Sequence, residues 1–141
     1  MPELKSILLA EDDAVLRKLY CHILKLAGYN VSAAADGFEA MDFAKNGQYE
    51  LMVIDVMMPN MDGLDLCRQL RGKVGGDIPI VFLTALDDAD TLKRCADAGA
   101  DDYLVKEGSP EGLLQRVDYW RRYHAGLLET YEIRPRLQDR P

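Results

Sequence analysis

The sequence is poor in cysteine: three in 141 residues, at Cys21, Cys67 and Cys95. An odd number, widely spaced and without any CxxC or Cys/His pattern, excludes a disulfide framework and a thiolate metal site. Each falls in a stretch of helical pattern and is expected to be a reduced, half-buried small hydrophobe. Long apolar runs are also missing; none approaches the roughly 18–20 residues that cross a bilayer. The opening residues Met1 to Ser6 offer no apolar signal core and no small-residue cleavage site, so the expectation is a cytoplasmic protein without a membrane partner. Basic residues are the minority, 17 Lys plus Arg against 24 Asp plus Glu, a net charge of −7. That argues against direct nucleic-acid binding, whose affinity comes from a basic surface. Neither GxxxxGK nor GxGxxG occurs, so no nucleotide-phosphate loop is expected.

What is present suits one globular domain, with 48% apolar and 29% charged residues. The acidity lies in the body: from Arg116 onward six Arg meet four acids. An acidic body suggests a cation site or a basic partner. Short apolar runs alternate with longer amphipathic ones. Strands are expected at 6–10, 29–34, 51–54, 78–83 and 102–105. Helices are expected at 14–27, 36–46, 64–71, 87–98 and from Ser109 onward, with Ser109 as cap and Pro110 at the first helical position. The first helix carries Val15, Leu16, Leu19, Ile23, Leu24 and Leu26 at helical spacing. The second should turn Phe38, Ala40, Met41 and Ala44 inward, and the last Leu113, Leu114, Val117 and Trp120. Five βα units predict a doubly wound parallel sheet with helices on both faces. Such sheets bind ligands at the carboxyl ends of their strands.

The strand ends carry the chemistry. Glu11, Asp12 and Asp13 follow the first strand, Asp55 the third, Thr84 the fourth and Lys106 the fifth. If the first and third strands are neighbours, as in the flavodoxin-like order, the carboxylates share a pocket. Clustered carboxylates repel, and Mg²⁺, which takes one or two of them plus waters and phosphate oxygens, is the usual remedy. A carboxylate beside Mg²⁺ can also be a nucleophile for a phosphoryl group, with Lys106 as a point charge and Thr84 as a hydrogen-bond donor. Taken singly, the acidic run could be capping, Thr84 a strand end and Lys106 a surface residue. Asp55 is harder to dismiss, because it interrupts a buried apolar run where a lone carboxylate is costly.

These residues stand in longer stretches: Ile7-Leu8-Leu9-Ala10-Glu11-Asp12-Asp13, Met52-Val53-Ile54-Asp55-Val56-Met57-Met58-Pro59-Asn60-Met61-Asp62-Gly63, Val81-Phe82-Leu83-Thr84-Ala85 and Gly99-Ala100-Asp101-Asp102-Tyr103-Leu104-Val105-Lys106. Together they resemble the receiver domain of bacterial two-component response regulators, over about residues 4–123. The resemblance implies a flavodoxin-like five-stranded sheet in the order 2-1-3-4-5 with five helices. It implies that Asp55 accepts a phosphoryl group from a histidine kinase or a histidine phosphotransfer protein. Asp12, Asp55 and the backbone carbonyl of Met57 would hold Mg²⁺, with Glu11 acting through a metal-bound water. Thr84 and Lys106 would hold the phosphoryl oxygens, and Thr84 and Tyr103 would switch. An output protein, or a second copy of the chain, would dock on the face made by the fourth helix, fifth strand and fifth helix. No external substrate is turned over, so the chain is not expected to be an enzyme in the ordinary sense.

One position departs from the family. Glu107 follows Lys106 where the family usually has a proline in a cis bond, which puts the phosphate end of the site in question; a non-proline cis bond costs about 2.5–4 kcal/mol. A pseudo-receiver, an interaction module no longer regulated by phosphorylation, is the alternative reading. A phosphatase of the haloacid-dehalogenase type is disfavoured, since it wants a second Asp where Met57 stands. The receiver is expected over residues 1–123. Residues 124–141 read as a helix extension or linker tail.

Overall fold

A computed structural model of the chain describes residues 6–73, 78–85, 89–106 and 110–128. Ten elements alternate: β1 (Ser6–Ala10), α1 (Ala14–Leu26), β2 (Asn30–Ala34), α2 (Gly37–Asn46), β3 (Leu51–Asp55), α3 (Gly63–Lys73), β4 (Ile80–Thr84), α4 (Ala89–Ala98), β5 (Asp102–Val105) and α5 (Glu111–His124). All strand pairs are parallel, in the order β2-β1-β3-β4-β5. This is the doubly wound order expected from the sequence. No helix among the described residues is long and apolar enough to cross a membrane.

The interior strands β1, β3 and β4 are buried almost throughout, because each face of a parallel sheet is covered by helices. Successive residues feed opposite layers. Ile7, Leu9, Val53 and Leu83 pack with Tyr20, Leu24, Val117 and Trp120 of α1 and α5. Leu8, Met52, Ile54 and Phe82 pack with Met41, Leu66, Leu70 and Cys95 of α2, α3 and α4. Aspartates start three helices. Oxygens of Asp13, Asp36 and Asp62 accept from the amides of Leu16, Glu39 and Asp65 at 3.0, 2.8 and 2.9 Å. Each satisfies a donor that the first helical turn leaves unpaired.

Several expectations need correction. Asp55 and Thr84 are the last residues of β3 and β4 rather than the residues beyond them. The fourth strand begins at Ile80, two residues later than expected. Pro110 occupies the cap position of α5 with helical φ and ψ, and Ser109 lies outside the described residues. On α1, Val15 and Leu26 are 75% exposed and Leu19 41%. The helix carries two apolar stripes, and the one with Tyr20 and Leu24 packs. On α2, Phe38 is 57% exposed. The inward face is built from Gly37, Ala40, Met41 and Ala44, and this mostly small-residue surface lets the helix approach so closely that a β-carbon at Gly37 would meet the Met61 carbonyl. Residues 129–141, most of the expected tail, lie outside the described residues.

The cysteines split as their burial dictates. Cys67 and Cys95 are fully buried and Cys21 is half-buried. Burial pushes both buried thiols up to about 11, away from the reactive thiolate. Titration of the native protein with a maleimide should therefore modify Cys21 alone, with the other two reacting only in denaturant. Native labelling of all three would contradict this packing of α3 against α4.

Candidate functional site

Two strand ends bring the expected acids together. β1 runs into Glu11 and Asp12, and β3, its neighbour in the sheet, ends on Asp55. One carboxylate oxygen from each of Glu11, Asp12 and Asp55 lies within 4.8 Å of the others. Glu11 and Asp55 are buried, whereas Asp12 is exposed. Arg17, on the second turn of α1, reaches back to donate to the carbonyls of Glu11 and Asp12 at 3.0 and 3.2 Å. The run before α1 is thus tied down by its own helix. The Met57 amide donates to Asp55 Oδ1 at 3.2 Å.

Lys106 arrives from the end of β5. Its Nζ lies 2.7 Å from Glu11 Oε1 and 2.8 Å from Asp55 Oδ2, bridging the two buried carboxylates. The Lys106 amide donates to the Thr84 carbonyl at 2.8 Å, so the β4 and β5 ends are joined beside the site. Burial pushes the Asp55 carboxyl up, and a hydrogen bond with Glu11 adds to it. Lys106 pulls the other way without prevailing, and the group is raised to about 7. Burial works against the Lys106 ammonium, but its hydrogen bonds to Asp55 and Glu11 outweigh that and raise it. Three carboxylates around one point, with a single lysine between two of them, remain short of positive charge. Their hard oxygen donors, open to solvent on the Asp12 side, suit a small divalent cation that keeps some of its waters.

An open cleft lies over these residues, walled by Asp12, Asp55, Met57, Thr84 and Lys106 and closed on one side by α4 through Thr91 and Arg94. The structure thus gathers every expected phosphoryl and metal residue onto one rim, Glu11 buried just beneath it. Tyr103 stands apart on β5, opposite Phe82, half-buried and packed against the α2–α4 layer. Glu107 lies outside the described residues.

Two buried aspartates were not singled out by sequence reasoning. Asp101 Oδ2 accepts from Arg71 Nη2 at 2.6 Å and from the Ile80 amide at 2.8 Å. Asp102 Oδ2 accepts from Arg116 Nη1 at 2.6 Å and Trp120 Nε1 at 2.9 Å. They pin the start of β5, next to Tyr103, to α3 on one side and α5 on the other. Arg116 and Arg121 on α5 pair with Asp102 and Asp118. Tyr119 and Tyr123 pack edge-on against Trp120 at 5.1 and 5.2 Å.

Comparison with known proteins agrees with this geometry. Residues 7–118 match the family described as the response regulator receiver domain. The response regulator MprA of Mycobacterium tuberculosis (strain ATCC 25618 / H37Rv) is 46% identical over 111 residues, 79% of this chain and 48% of that protein. The chain thus spans about half the length of the curated relatives it matches. Among solved structures, the chemotaxis response regulator CheY4 of Vibrio cholerae superposes with a TM-score of 0.80 at 30% identity, covering 84% of this chain and 99% of that one. The response regulator TrrA of Thermotoga maritima, solved in complex with Mg²⁺-BeF, gives 0.75 at 30% identity, covering 83% and 99%.

Proposed function

Because the chain belongs to the response regulator receiver domain family, we propose that it is a phosphoryl-accepting switch of a two-component phosphorelay, with Asp55 as the acceptor. One observation carries this reading: a buried aspartate at a strand end, held near neutrality, bridged to Glu11 by Lys106 and open to a cleft. The donor is a phosphohistidine, on a histidine kinase or on a phosphotransfer protein. An Asp55 oxygen attacks phosphorus, the O–P bond forms, the N–P bond breaks, and the histidine nitrogen leaves with the electron pair. Asp55 must be ionised to attack, and its burial works against that charge. Glu11, Asp12, Asp55 and the Met57 carbonyl are the groups to hold Mg²⁺, which when bound supplies the positive charge that keeps Asp55 ionised and neutralises the phosphoryl group. Lys106 is placed to turn from the carboxylates to the new phosphoryl oxygens, and Thr84 to donate to one of them. The chain catalyses only its own phosphorylation and its reversal.

The readout follows from the backbone. Thr84 is joined to Lys106 and pairs in register with Val105. A shift of Thr84 toward the phosphoryl group is therefore felt along β5, where Tyr103 sits two residues away on the same sheet face. The α4-β5-α5 surface is where an output partner or a second copy would read the change, a local charge event biasing a two-state element. Intact mass after incubation with Mg²⁺ and acetyl phosphate tests the reading. One phosphoryl increment is expected, absent from Asp55→Asn and absent without Mg²⁺. No increment on wild-type protein, from acetyl phosphate or from a phosphohistidine donor, would leave the pseudo-receiver reading in its place.

A further inference from the structure

Among the described residues, two cations line the cleft over Asp55. Lys106 is committed at 2.7 and 2.8 Å to the two buried carboxylates. The other is Arg94 on α4, which lines the same cleft as Asp55, Met57, Thr84 and Lys106. Arg94 stands three residues beyond buried Thr91, so both lie on the cleft side of the helix. The first turn of α4 lies nearest the rim where β4 ends, and side chains on a helix lean toward its N-terminus. Arg94 is exposed and makes no hydrogen bond or ion pair with another described residue. The acids lining this cleft, Asp12, Asp13, Asp55 and Asp62, belong to the loops and strand ends opposite it. A phosphoryl group arriving between them adds up to two negative charges. It needs a donor fork on the α4 side of the cleft, the side away from those acids.

We infer that Arg94 is a phosphoryl-positioning residue: its guanidinium holds oxygens of the incoming phosphodonor and of the phosphoryl group on Asp55. Arginine suits this work because its planar fork matches phosphate oxygens two at a time. The contact also ties the first turns of α4 to the phosphorylation state, a link independent of Thr84. The inference rests on the reading that Asp55 is phosphorylated, and the two can fail separately.

The experiment measures the initial rate of phosphorylation against acetyl phosphate concentration, with Mg²⁺ saturating, for wild type, Arg94→Ala and Arg94→Lys. Arg94→Ala should raise the half-saturating concentration about tenfold with a smaller effect on the maximal rate, and Arg94→Lys should recover part of the loss. Titration with beryllofluoride, followed by fluorine NMR of the bound species, should show the same weakening. Wild-type protein that takes no phosphoryl group would remove the receiver reading and this inference with it. Wild-type protein that is phosphorylated while Arg94→Ala saturates at the same concentration would overturn this inference alone. So would a loss in Arg94→Ala that tracks a lowered melting temperature and is absent from the beryllofluoride titration, which would make Arg94 a structural residue.

Discussion

Replacing Asp55 with asparagine is expected to stabilise the metal-free protein, by about 2–4 kcal/mol at pH 8. Burial and the Glu11 hydrogen bond raise the Asp55 carboxyl from its ordinary 3.8 to about 7. In the unfolded chain the group ionises near its ordinary value. Between about pH 4 and pH 7 the folded state therefore holds a proton that the unfolded state has lost. Stability falls as pH rises through that window, and above it the full cost of a buried charge is present. Lys106 reduces this cost without cancelling it, because it is shared with Glu11. Asparagine keeps the shape and an oxygen for Lys106 but cannot ionise. Urea unfolding at pH 5 and pH 8 should show a gap between wild type and variant at the lower pH that is about a third of the gap at the higher. Parallel behaviour of the two proteins would mean that Asp55 titrates as an ordinary aspartate.

The same charge shortage predicts what Mg²⁺ does to this gap. A cation that binds only the folded state adds about 2.7 kcal/mol at one hundred times its dissociation constant. Wild type should gain that in full. Asp55→Asn, one carboxylate short, should gain less, so saturating Mg²⁺ narrows the difference at pH 8. The acceptor thus destabilises the apo fold for the same reason that it suits phosphoryl transfer.

The rim of the site was readable in the sequence because it is local. Each interior strand is an apolar run, and Glu11, Asp55 and Thr84 stand where those runs stop, as Lys106 does at the end of the edge strand β5. A parallel sheet that sets the first and third strands side by side brings such ends together. The packing of α1 was not readable, because Val15, Leu19 and Leu26 form an apolar stripe as regular as the one through Tyr20 and Leu24. Periodicity counts stripes; the neighbouring elements choose between them. Asp101 and Asp102 look like the polar approach to and start of the fifth strand, yet both are fully buried. Their partners Arg71 and Arg116 stand 30 and 14 residues away in sequence. A charge pair closed by tertiary structure leaves no mark in spacing. Arg94 went unnoticed for a related reason: a lone arginine on an amphipathic helix looks like a solvated face until the cleft beside it is seen.

Gly63→Ala is expected to cost about 3 kcal/mol or more of stability and to impair phosphoryl acceptance sharply. Gly63 opens α3, and its amide donates to the Val56 carbonyl at 2.9 Å. A β-carbon there would stand 2.1 Å from the Asp55 carbonyl oxygen and 3.0 Å from Val56 Cα. Both are backbone atoms, so no rotamer change can relieve the clash. Either the start of α3 must retreat or the end of β3 must move, and the second displaces the acceptor itself. Gly72→Ala in the same helix is the control, because a β-carbon there meets nothing within 4 Å. It should gain about 0.5–1 kcal/mol from helix propensity alone. Denaturant unfolding of both variants, with phosphorylation by acetyl phosphate measured alongside, separates the cases. A Gly63→Ala protein as stable and as readily phosphorylated as wild type would show that α3 yields at no cost. A stable protein that has lost phosphorylation would place the yielding at the strand end instead. The expected outcome, loss of both, follows because β3 is held at Asp55 by the β4 ladder on one side and by Lys106 on the other, so the strand end cannot move without breaking the contacts that place the acceptor.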